Sequence, residues 1–229
     1  MRLIGAKGKM MGSWHLSGSA RVTREQTPGC WIKRENTVMS DNCTHIVPVH
    51  KGDYPDDHAK VKEILYWFQK RGMVENALSD CTLGEPGYRF LPEISRIFDE
   101  EPRPESSEHT LLTHGLELHH GSRRVFHPME GADLHFACPE CNHDMGWDAA
   151  DGISAWYERE DDYPQCRNCA KTFHITEYRT DHGGKEPPWA FSNVAITLWN
   201  AFGEAFAPWF PDEMKTLYGT DILVVEVRI

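Results

Sequence analysis

Long apolar runs are missing from this chain. Its richest hydrophobic stretch, "WAFSNVAITLWNAFGEAFAPWF", is interrupted by Asn193, Asn200, Glu204 and Pro208, so no segment reaches the roughly 18 uncharged residues that a membrane-spanning helix requires. Arg2, Lys7 and Lys9 are followed by no continuous apolar core. A secretory signal is not expected on that pattern, and the expectation is a cytoplasmic protein with reduced thiols and no membrane partner. Nucleoside-triphosphate chemistry lacks its motif as well: no G-x-x-x-x-G-K-[ST] occurs, and "GAKGK" at Gly5 to Lys9 is too short to cradle phosphates, so ATP hydrolysis is not expected. H-E-x-x-H is also absent. With it goes the commonest helix-borne zinc hydrolase pattern.

Basic charge is scarce outside the first residues. Residues 1–38 hold seven Lys/Arg and two acids, whereas the remainder holds 17 basic and 33 acidic residues. A body that acidic repels phosphate backbones and disfavours nucleic acid as a partner. The basic head is spaced by Gly5, Gly8, Gly12, Gly18 and Gly29 and shows no periodicity, so it is expected to be a disordered arm or an upstream extension, with Met39 as the start.

The acidic body has patterned segments. "THIVPVH" (44–50) reads as a strand. Val61, Ile64, Leu65 and Phe68 fall on one face of a helix from Asp57 to Arg71, stopped by Gly72. Turn signals at Gly84 to Gly87 precede a short helix over Glu93 to Phe98, and "DEEPRPESSEH" reads as a surface linker. Two strand-like runs flank Gly121-Ser122 and suggest a hairpin. "WAFSNVAITLW" reads as one strand, a helix lies within Trp199 to Tyr218 with Gly219 as its stop, and "DILVVEVRI" closes as a strand. The element order predicts an α+β fold, a ferredoxin-like sandwich with an insertion. Its parts are a head at 1–38, body segments at 39–132 and 183–229, and a cysteine segment at 133–182.

That segment holds four of the seven cysteines as two C-x-x-C pairs, Cys138 with Cys141 and Cys166 with Cys169. Zn2+ takes four thiolates at tetrahedral corners, and each C-x-x-C turn supplies two from one side. A closed four-thiolate shell points to a structural zinc; a rubredoxin-like iron and a redox-active dithiol or disulfide pair are the alternatives. "LHFACPEC", "GISAWYERE" and "CRNCAKTFHITEYR" resemble the zinc-ribbon, rubredoxin-like class over about 133–179. The resemblance implies a strand into the first knuckle, a central strand, and a strand out of the second. Asn142 and Ala170 stand where that class often has glycine. His143 and His174 flank the cysteines and are expected beside the sulfurs rather than on the metal. "SDCTLG", "CPEC" and "TLW" also resemble uncharacterised bacterial zinc-ribbon proteins, some labelled as sugar ABC transporter ATPases, a label at odds with the missing P-loop.

Eleven acids against four Lys/Arg in 133–182 suit a structural or protein-binding ribbon better than a nucleic-acid-binding one. The expected function is a non-enzymatic, cytoplasmic protein-binding protein, for example an inhibitor or immunity-type factor that masks a basic partner. Two alternatives stand beside it. One is an enzyme using Cys81 and the histidine-rich run of His109, His114, His119, His120, His127 and His135; the other is a nucleic-acid-associated ribbon protein. Trp147, Trp156, Trp189, Trp199 and Trp209 are expected in the core or on an aromatic binding surface.

Overall fold

Apolar residues at alternate strand positions and at helical spacing fold this chain around one six-stranded antiparallel sheet. The computed structural model describes residues 41–99, 111–128, 134–201, 203 and 205–228, all within one compact unit. The expectations for the head segment and for nearly all of the charged linker lie outside the described residues.

Strand β1 (Asn42–Pro48) leads into helix α1 (Asp57–Lys70), then β2 (Val74–Ser79), β3 (Gly87–Phe90) and a 3₁₀ turn at Pro92–Ile97. After β4 (Gly115–His119) and β5 (Arg124–Phe126) come the cysteine segment, β6 (Ala190–Ser192), β7 (Ala195–Trp199), helix α3 (Trp209–Tyr218) and β8 (Ile222–Arg228). The large sheet runs β2-β3-β4-β7-β1-β8, and β5 and β6 pair separately.

Val61, Ile64, Trp67 and Phe68 of α1 and Phe210, Met214 and Tyr218 of α3 are buried against Ile46, Leu116, Ile196 and Leu198, which share one face of the sheet. Helix α1 ends as its sequence dictates. Gly72 takes φ 67, and the Gly72 and Met73 amides bond back to Gln69 and Phe68, closing the turn in the manner of a glycine-capped helix. The other face carries Cys43, Val47, Ala195, Trp199, Val225 and Val227, with Phe126 of β5 and Ala190 of β6 packed on it. Among the described residues no helix is long and apolar enough to cross a membrane.

Four expectations are corrected, one being the strand out of the second knuckle, where Ile175–Glu177 forms a 3₁₀ turn instead. The runs around Gly121-Ser122 are not a hairpin, since β4 pairs with β3 and β7 while β5 pairs with β6. "WAFSNVAITLW" is two strands in two sheets. Asn193 breaks it, because its side-chain amide accepts from Tyr54 N–H at 2.6 Å and donates to Asp57 Oδ2 at 3.0 Å, tying the chain to the loop before α1. The expected central strand "GISAWYERE" is helical: a 3₁₀ turn at Gly146–Ala149 continues into α2 (Ala150–Tyr157). Ala149, Ile153 and Trp156 recur at helical spacing and face the core of the cysteine segment.

Candidate metal centre

Each C-x-x-C turn is closed by the same pair of backbone bonds. In the first, Cys138 N–H donates to His143 O at 2.9 Å and Asn142 N–H to Cys138 O at 3.0 Å; in the second, Cys166 N–H donates to Lys171 O at 2.8 Å and Ala170 N–H to Cys166 O at 2.9 Å. Asn142 (φ 59) and Ala170 (φ 57) both adopt the left-handed backbone. The second knuckle therefore matches the first even though alanine replaces the residue that adopts this conformation most easily.

The two knuckles face one another. The four sulfurs lie within 4.8 Å of each other, with Cys138 Sγ 3.8 Å from Cys169 Sγ and Cys141 Sγ 3.6 Å from Cys166 Sγ. A disulfide requires about 2.05 Å, and the cysteines are free thiols. A tetrahedral ion with metal–sulfur bonds of about 2.3 Å sets its sulfurs about 3.8 Å apart, so the spacing fits a four-thiolate metal site. Ionisation favours a cation as well. The Asn168 side chain and the His143 backbone hold Cys141 down to about 6. Although the Lys171 backbone favours its thiolate, burial and the neighbouring thiols hold Cys169 up to about 11. A dication between the sulfurs relieves the repulsion that keeps the proton on Cys169.

A private core supports the site. Phe136, Met145, Trp156, Ile175 and Tyr178 surround it together with Trp189 and Phe191, and Phe136 stacks on Tyr178 at 4.3 Å. Helix α2 ends in a Schellman-type turn with Arg159 at φ 62. The segment is latched to the rest of the fold by Arg123, which is 6% exposed. It donates to Asp53 at 2.6 Å, to Trp156 O at 2.7 Å and to both oxygens of Asp162 at 2.5 and 3.2 Å. Lys51 pairs with Glu177 at 3.0 Å.

His174 is not at the sulfurs. Its Nε2 accepts from Gly52 N–H at 2.8 Å, so the ring is neutral, and burial holds its pKa down. Cys81 is buried against Gly115 and does not line the cavity that collects His119 and His127. His114 is buried with its Nδ1 3.0 Å from Asn200 O, His120 stacks on His58, His135 meets Asp144 at 2.7 Å, and His109 lies outside the described residues. The histidine run is therefore dispersed. Trp156, Trp189 and Trp199 are buried, whereas Trp147 is 60% and Trp209 44% exposed.

A second polar cluster escaped the sequence. Cys43, His45, Glu117, His119 and Thr197 meet on the helix-free face of the large sheet. The available signal was alternation: "CTH" and "ELH" each place two polar groups on one strand face. No described protein family, curated protein or solved structure matches this chain.

Proposed function

We propose that Cys138, Cys141, Cys166 and Cys169 hold a structural zinc, and that the chain is a zinc-stapled protein-binding factor of inhibitor or immunity type. The sulfur spacing of 3.6 and 3.8 Å carries the zinc reading, because four thiolates fill the shell and leave no position for a reacting water. We also read the body as ferredoxin-like. Its support is the order β4-β7-β1-β8 with α1 following β1 and α3 preceding β8, and β2 and β3 extend that arrangement at one edge. The protein-binding reading is supported by Trp147, Tyr157 and Tyr163, each at least half exposed on a segment rich in acids. Exposed aromatics ringed by carboxylates suit a basic protein partner.

Metal analysis of the purified chain is expected to find one zinc per molecule, lost in Cys138→Ser with Cys166→Ser. Affinity purification from the native cell is expected to recover a basic chain that Trp147→Ala with Tyr163→Ala no longer retains. Absence of zinc overturns the first reading. Retention of every partner by the double variant overturns the second.

A further inference from the structure

The helix-free face of the sheet carries an open cavity of about 690 Å³ floored by polar side chains and walled by Phe126, Trp199 and Val227, with Arg124 and Arg228 also lining it. Strand register builds the floor. Thr197 of β7 pairs with His45 of β1 on one side and with Glu117 of β4 on the other, so all three point to the same face. Cys43 and His119 lie two residues from His45 and Glu117 and join them.

The contacts form one directional chain. Cys43 Sγ is 3.8 Å from His45 Nε2; His45 Nδ1 is 2.7 Å and His119 Nε2 2.6 Å from Thr197 Oγ1; His119 Nδ1 is 3.6 Å from Glu117 Oε1. Trp199 Nε1 donates to Glu117 Oε2 at 2.7 Å and Glu85 N–H to Oε1 at 3.3 Å, fixing the carboxylate. A threonine hydroxyl has one proton to give. With the carboxylate favouring N–H at His119 Nδ1, Thr197 must donate to His119 Nε2 and accept from His45 Nδ1–H. That leaves His45 Nε2 as a bare lone pair beside the Cys43 thiol. His119, 5% exposed, has no hydrogen-bond partner at Nδ1, so the chain is short of closure by a few tenths of an ångström.

We propose that this cavity is a covalent-chemistry site for small carboxylate-bearing electrophiles, with Cys43 as nucleophile, His45 Nε2 as the base that takes its proton, and Thr197, His119 and Glu117 as positioning residues. The carboxylate meets Arg124 and Arg228. Sulfur attacks the electrophilic carbon, the S–C bond forms as the bond to the leaving group breaks, the leaving group departs with the electron pair, and the thiol proton passes to His45 Nε2. The resting site is held inactive chiefly by burial. Burial and then Glu117 push the Cys43 thiol up to about 12, while burial, His127 and Arg124 hold His45 down to about 4. An anion seated on Arg124 offsets the Arg124 part of the His45 shift and raises the basicity of that ring. This site is separate from the zinc segment and does not depend on the binding role proposed for it.

Iodoacetate and iodoacetamide are the probes, applied to the full-length metal-loaded chain with peptide mapping of alkylated Cys43. Iodoacetate is expected to react at least as fast as iodoacetamide, the reverse of the order shown by a free thiolate in water. Arg124→Gln with Arg228→Gln is expected to slow iodoacetate about tenfold and leave iodoacetamide unchanged. His45→Gln and Thr197→Val are expected to slow both reagents, and Thr197→Ser to restore the rate, with circular dichroism confirming the fold of each variant. The proposal is overturned if Cys43 stays unmodified in the folded chain, if the arginine variant leaves the iodoacetate rate unchanged, or if folded His45→Gln reacts as fast as the parent.

Discussion

Ala170 occupies a backbone conformation that costs an L-residue with a β-carbon about 1–2 kcal/mol, and it does so because the turn that presents Cys166 and Cys169 admits no other path for the chain. Asn142 meets the same demand in the first knuckle with a side chain better suited to it. Ala170→Gly is therefore expected to stabilise the metal-loaded protein by about 0.5–1 kcal/mol, the relief of strain less the extra freedom glycine gains in the unfolded chain. A urea titration of the two proteins measures it, and a midpoint that stays or falls would show that the knuckle carries no strain. The same conformation at Arg159 ends α2 without glycine, which is why the sequence shows no stop signal there.

Elements that make their own local case were legible: β1 and α1 carry periodicity, α1 and α3 a glycine stop and β8 an apolar run, and the paired C-x-x-C turns announce their cluster. Partnerships between distant segments were not. The two strands beside Gly121-Ser122 look like a hairpin because turn and strands adjoin, yet β4 pairs with β3 and β7. The eight residues of α2 turn only Ile153 and Trp156 to the core, too few to outweigh the pattern of a central strand. Cys43 and Glu117 gave nothing singly, since the sheet alone brings them together across β7. Arg123 belongs with these. Its carboxylate partners stand 70 and 39 residues away, so no window of sequence reveals the latch between α2 and the loop before α1. Arg123→Met is expected to destabilise the protein by about 2 kcal/mol, because Asp162 loses its cation, Asp53 keeps only Arg159, and Trp156 O loses its donor. Thermal unfolding tests it, and a change below about 0.5 kcal/mol, the range of an ordinary surface substitution, would show the latch to be idle.

The whole molecule joins a sheet with its own core to a cysteine segment whose core includes four thiols. Hydrogen exchange with and without chelator is expected to show loss of protection over residues 134–180 and retention in β1, β7 and β8, as a small segment cannot bury enough apolar surface without its staple. Unchanged protection in 134–180 would sink the staple reading, and global loss would show a single cooperative unit. The paired strands β5 and β6 also bear on how fast this chain folds. Neighbouring strands β4 and β7 must find each other although residues 120–194 lie between them. When the cysteine segment closes and β5 zips to β6, the free chain left between β4 and β7 shrinks to two short links, which removes about 2 kcal/mol of loop-closure entropy from the search. With a metal on the four thiolates, its supply is expected to set the rate at which the central sheet is assembled, and a metal-starved chain to wait longest with its strand edges open to other chains.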